Sequence, residues 1–133
     1  MQIKKVGVIG AGQMGNGIAH VLSLGGYHVI LNDIDKNILE KASNNIKNNL
    51  ERQVNSKKIS SAESNAALKL INYTVSLEGF NDVDLVIEAA TENEAIKQKI
   101  LNSLLPHIQP HTILTSNTSS ISITRLASCT DLS

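Results

Sequence analysis

Gly10-Ala11-Gly12-Gln13-Met14-Gly15 is the stretch that most narrows what this chain can become. It follows Val6-Gly7-Val8-Ile9, a short apolar run that reads as a strand buried on both faces, as in a parallel sheet. It precedes a segment, Met14 to Leu24, in which Met14, Ile18, Val21 and Leu22 recur at helical spacing and Gly25-Gly26 ends the helix. A G-x-G-x-x-G pattern alone means little; between a strand and a helix it acquires a physical meaning. Gly10 permits a tight turn, Gly12 leaves no Cβ in the way of a pyrophosphate, and Gly15 lets helix and strand pack closely. The free N–H groups and positive dipole end of the helix then face the phosphates. Gly10, Gly12, Gln13, Met14 and Gly15 are accordingly the expected phosphate-side contacts; a plain strand-to-helix turn is the alternative.

Tyr27 to Leu31 reads as a second strand, closing on Asn32-Asp33. Asp33 lies eighteen residues after Gly15, where a carboxylate accepts hydrogen bonds from the adenosine ribose hydroxyls. Its charge would repel a 2′-phosphate. Ile34 and Asp35 follow it, and Lys36 is the nearest cation, so the cofactor expected is NAD rather than NADP. Asp33 has an alternative role as a helix cap, which Asp35 can fill instead.

After Asp35 the spacing predicts a long helix with Leu39, Ala42, Ile46 and Leu50 on one stripe. The pattern breaks near Asn55 to Lys58. Ser60-Ser61-Ala62-Glu63 then has the spacing of a capping box for a second helix ending near Leu70. The two make a helical hairpin whose polar, Asn-rich surface suggests that it projects from the body. Thr74-Val75 is a weak strand and Asp84 to Ile87 a strong buried one. Thr91-Glu92-Asn93-Glu94 has capping-box spacing for a helix that Pro106 ends, Thr112 to Thr115 is the last strand, and Ile121 to Ala127 starts a short helix or turn. Strands alternating with helices argue for an α/β fold with right-handed crossovers: a Rossmann-type, doubly wound, mostly parallel sheet with an inserted helical hairpin, one domain over residues 1–133.

Composition removes other classes. Twelve basic residues balance twelve acidic ones without a Lys/Arg cluster, and only two Tyr and one Phe are present. Neither a polyanion footprint nor a base-stacking platform is there, so nucleic acid is not an expected partner. No apolar run reaches the ~20 residues a bilayer span needs, and a membrane is not expected either. A lone Cys129 excludes an internal disulfide and a cysteine-based zinc site, no metal is expected, and a reducing cytoplasm fits.

Two further strand ends are rich in polar groups, Glu88 to Asn93 and Ser116 to Ser120. Such side chains can bond a ribose, a carboxamide or a substrate oxygen. A first-turn acid at Glu92 and a self-bonded serine loop are the plainer alternatives. The stretches GVIGAGQMGNGIAH, DLVIEAATEN with Ile96-Lys97, and ILTSNTSSISIT together resemble the NAD-binding domain of 3-hydroxyacyl-CoA dehydrogenases, the bacterial 3-hydroxybutyryl-CoA dehydrogenases above all. The resemblance runs over nearly the whole chain, and Ser116-Asn117-Thr118-Ser119-Ser120 is its most specific part. It implies hydride transfer between the 3-hydroxyl of an acyl-CoA and NAD in fatty acid metabolism. It also implies that Glu92 and Lys97 lie along the nicotinamide side, that Asn117 stands near the reacting centre, and that Ser119 bonds the substrate 3-oxygen. By the same resemblance CoA meets the helical hairpin, where Lys57 and Lys58 are available cations.

The resemblance further implies a catalytic histidine paired with a glutamate, then an all-helical C-terminal domain, beyond the last residue, Ser133. Without an imidazole near neutral pKa to take the hydroxyl proton, this chain is expected to bind NAD but to be nearly inactive alone. His20 lies among core-side residues, His28 in the second strand, and His107 and His111 before the last strand, away from the cofactor side; none is expected to serve as base. An exposed docking face is expected to recruit the further domain or a second copy. The competing reading is a non-catalytic NAD-binding or interaction module.

Overall fold

The computed structural model describes residues 3–90 and 93–116. Five parallel strands form one sheet: β1 (Lys5–Ile9), β2 (His28–Asn32), β3 (Ile71–Thr74), β4 (Leu85–Glu88) and β5 (Ile113–Ser116). Their spatial order is β3-β2-β1-β4-β5, with the turning point at β1. The register aligns the carboxyl ends: Ile9 stands opposite both Asn32 and Glu88, Asn32 opposite Thr74, and Glu88 opposite Ser116. This is the expected doubly wound α/β architecture.

Alternation along the strands divides the core. Val6, Val8, Val29 and Leu31 pack on one face with helices α1 (Gln13–Leu24), α2 (Lys36–Asn55) and α3 (Ser61–Leu70). Ile9, Ile30 and Val86 face the other side, with Leu101 and Leu104 of α4 (Glu94–Leu104) and with Phe80 from a 3-10 turn, Glu78–Asp82. A period of two in β-branched residues therefore serves both layers.

The α2 stripe emerges as read: Leu39, Ala42, Ile46 and Leu50 are its buried residues, and Asp35 caps it by accepting the Asn37 N–H at 2.9 Å. Ser60 and Glu63 make the reciprocal capping box of α3. Three expectations need correction. The α2–α3 hairpin does not project: Ile46 and Leu50 are fully buried in the first core with Ala67 of α3. It is the crossover between β2 and β3, and its Asn-rich face is simply the solvent side of that layer. The apolar spacing on α1 holds only in part, since Ile18 and Leu22 pack against the first core. The helix buries Gly15, Asn16, Ala19, His20 and Ser23, leaving Met14 and Val21 exposed, because small residues let it lie close to the sheet. Finally, the cap of α4 is Asn93, whose side chain accepts the Ile96 N–H at 3.1 Å, two positions later than the capping-box spacing puts it. The segment Ile121 to Ala127 lies outside the described residues.

Smaller shifts are of register. The third strand is Ile71–Thr74, with Val75 just beyond it, because pairing with β2 runs from Val29 to Asn32. Pro106 sits in a 3-10 turn, Leu105–His107, that closes α4 as read. No described helix is long and apolar enough to cross a membrane.

Candidate functional site

The carboxyl ends of β2, β1, β4 and β5 lie on one edge of the sheet, and the residues that follow β2, β1 and β4 line a crevice. Gly10 leaves β1 with φ +101°, a conformation that suits a residue without a Cβ. Its N–H bonds the Asn32 carbonyl at 2.7 Å, which ties the loop to β2. Gly12 starts α1, exposed, and a Cβ there would meet no protein atom within 4 Å. The space a phosphate needs is thus open. Among the described α-helices, α1 alone has no side chain capping its N-terminus, whereas Asp35, Ser60 and Asn93 cap the other three. Its first-turn N–H groups remain available to an external acceptor. Gln13 and Met14 occupy that turn, both exposed.

Asp33 comes to the same place. Its Oδ2 accepts the Ala11 N–H at 3.0 Å and its Oδ1 the Asp35 N–H at 2.9 Å. The carboxylate is half-buried and fixed against the glycine loop, and each oxygen keeps a lone pair for a ribose hydroxyl. Asn32 is buried beneath it and donates to the Thr74 and Ser76 carbonyls, so it holds β3.

A cleft of about 890 Å³ runs from Gly10, Gly12 and Asp33 along α4. Ile34, Ile38 and Val75 make one apolar wall, and Ile96, Ile100 and His107 lie on the other. Ile34 is 93% exposed, a cost for a free apolar side chain that a planar ligand would relieve. The sequence reading passed over this apolar set; an isoleucine directly after the ribose-site acid was its only signal. His107 also departs from expectation. It was set away from the cofactor side, yet α4 and its closing turn keep one face toward the cleft, and His107 continues that face. His20 is structural as read: it is buried on α1 and its Nε2 lies 2.8 Å from Gln53 Oε1 on α2. His111 lies beside Asp84 before β4, at the opposite edge.

Lys97 reaches the crevice end of β4 but does not open into the cleft. Lys97 is 1% exposed, and its ammonium is ion-paired with the carboxylate of Glu88, a residue 3% exposed. The second oxygen of Glu88 accepts the Ala90 N–H at 2.6 Å. Glu92, Asn117 and Ser119, the remaining expected site residues, lie outside the described residues.

Residues 5–132 match the family model described as 3-hydroxyacyl-CoA dehydrogenase, NAD binding domain. The chain is 50% identical over 129 residues to a 3-hydroxybutyryl-CoA dehydrogenase of Bradyrhizobium diazoefficiens, covering 97% of this chain and 44% of that protein. It is 39% identical over 125 residues to the peroxisomal fatty acid beta-oxidation multifunctional protein of Arabidopsis thaliana, covering 94% of this chain and 17% of that one. Among solved structures, the (S)-3-hydroxybutyryl-CoA dehydrogenase of Ralstonia eutropha superposes with a TM-score of 0.92 at 40% identity, over 97% of this chain and 46% of that chain. The chain thus spans less than half the length of these relatives.

Proposed function

Since the chain belongs to the 3-hydroxyacyl-CoA dehydrogenase family as its NAD-binding domain, we propose that it forms the cofactor half of an enzyme that oxidises or forms the 3-hydroxyl of an acyl-CoA. The observation that carries this is the pairing of an uncapped, sterically open helix start at Gly12 with a fixed carboxylate at Asp33. The first accommodates a pyrophosphate and the second a ribose. NAD, when bound, supplies the hydride acceptor or donor. This chain's residues bind and orient it: Gly10, Gly12, Gln13, Met14 and Gly15 around the phosphates, and Asp33 at the adenosine ribose, where its charge disfavours NADPH.

The family resemblance supports Asn117 and Ser119 as the residues that position nicotinamide and substrate 3-oxygen, and Glu92 and Lys97 as residues of the nicotinamide side. Acyl-CoA is then the substrate, a helical C-terminal domain or a second copy the protein partner, and a cytoplasmic setting fits. Residues 1–133 bind NADH by themselves on this reading, since the glycine loop and Asp33 both lie within them.

Calorimetry with NADH and NADPH tests cofactor choice; tighter NADPH binding would overturn the Asp33 argument. Mixing the chain with a separately produced C-terminal domain of a relative, and following NADH oxidation by acetoacetyl-CoA, tests the reaction. Restored turnover is expected. Intact NADH binding with no turnover would instead favour a non-catalytic NAD-binding module. Sedimentation at rising concentration should show association, and a clean monomer would remove self-association from the proposal.

A further inference from the structure

Glu88 and Lys97 form an ion pair inside the protein, at the edge where the crevice lies. Removing two charges from water is costly, and a well-packed apolar pair of similar volume is often as stable or more so. The pair is therefore a poor explanation of stability and a better one of geometry. Its contacts say which geometry. Glu88 is the last residue of β4, opposite Ile9 on one side and Ser116 on the other. One carboxylate oxygen holds the Ala90 N–H, the other Lys97, one turn into α4. A single side chain thus ties the end of β4 both to the backbone just after it and to α4.

The Ala89–Ala90 backbone touches the glycine loop. A Cβ on Gly10 would lie 2.6 Å from Ala90 Cα and 2.7 Å from Ala90 N, so the two backbones are in close contact. The Ala89 N–H also bonds the Ile9 carbonyl at 2.8 Å, and Ala89 and Ala90 both line the cleft. The strand order then assigns a half of the cofactor. With Asp33 at the end of β2 and the glycine loop at β1, a dinucleotide that crosses the loop arrives next at β4. Glu88 is buried and does not line the cleft, so it acts on a ligand through the groups it holds and not by direct contact.

We propose that Glu88 is a positioning residue: holding Lys97 and the Ala90 amide, it sets the Ala89–Ala90 backbone against the glycine loop, and thereby the fit of the nicotinamide half of the cofactor but not of the ADP half. This rests on the NAD reading given above. Loosening the shell that holds a site costs affinity where the site is shaped, not everywhere.

The test measures Kd for NADH and for ADP in the 133-residue chain and in Glu88→Gln, with thermal midpoints alongside. Glu88→Gln keeps the shape and an acceptor for Ala90 but removes the charge that Lys97 faces. The expected result is that NADH binding weakens by about tenfold while ADP binding stays within about twofold. A merely structural role would lower the midpoint and shift both ligands together, and that outcome, or unchanged NADH binding, overturns the proposal. If Glu88→Gln does not fold by circular dichroism, Glu88→Asp, which keeps the charge but cannot reach both partners, carries the same comparison with the same expected selectivity. If neither folds, the pair serves the fold and the positioning role is refuted. An unmodified chain that binds neither NADH nor ADP would sink the NAD reading itself, and this inference with it.

Discussion

A Cβ on Gly15 would stand 1.6 Å from the carbonyl oxygen of Gly10. The two glycines are five positions apart in sequence, yet the strand-to-helix turn folds one onto the other, and no rotamer can relieve a clash made by a Cβ and a backbone atom. Gly15→Ala should therefore destabilise the chain by about 3 kcal/mol, at the upper end of overpacking costs. Gly12→Ala offers the contrast, since a Cβ there meets nothing within 4 Å. It should change stability by less than about 1 kcal/mol and still weaken NADH binding by about tenfold or more through the lost phosphate approach. Thermal melts and NADH titrations of the two variants separate the roles.

Asp33 holds two backbone amides besides its place at the ribose site. Asp33→Ala should cost about 1–2 kcal/mol of stability through those freed amides. It should also weaken NADH more than NADPH, because the charge that repels a 2′-phosphate goes with the carboxylate. The ratio of the two affinities, measured by calorimetry, is the observable.

Asp84 fastens the amino end of β1 to β4. Its Oδ2 accepts the N–H groups of Lys4 and Lys5 at 2.9 and 3.1 Å, and its Oδ1 lies 3.3 Å from His111 Nε2. The Lys4 and Lys5 amides hold the carboxyl below the usual range, with His111 adding to the effect and some desolvation opposing it. A folded pKa below the unfolded one contributes stability that is present above the unfolded value, about 3.9, and is lost as pH falls through the folded value. Melting curves of the unmodified chain and Asp84→Asn should differ near neutral pH, and the gap should close as pH drops below about 4. A gap that does not change with pH would remove the carboxylate from this role.

Ser60 and Glu63 form a capping box on an exposed helix start, remote in sequence from the glycine loop and Asp33. Ser60→Ala should lower stability by about 1 kcal/mol and leave NADH affinity unchanged. A parallel loss of cofactor binding would mean that α3 communicates with the crevice.

The features read from sequence are those whose physics is local. The glycine loop declares itself because a turn, a phosphate approach and a close helix contact each need a missing Cβ at a set spacing. Caps at Asp35 and Ser60 need only an acceptor placed two or three residues before an amide. The α2 stripe is legible because that helix lies across larger apolar neighbours. On α1 the same rule holds only in part: Ile18 and Leu22 touch the core, but the side that meets the sheet is chosen for smallness, so Gly15, Ala19 and Ser23 go in and Val21 stays out.

The sequence by itself determined the strand-loop-helix unit, the acid that follows the second strand and the family segments, since each is a short-range pattern. Only the tertiary structure decided which charges meet. Glu88 and Lys97 read as two polar residues at a strand end and on a helix, nine positions apart, and their burial together depends on how α4 folds back against β4. His107 in the cleft wall and the docked α2–α3 hairpin were decided in the same way. Burial and pairing are properties of what packs against a side chain, and that partner is set by the sheet order and not by the neighbours in the chain.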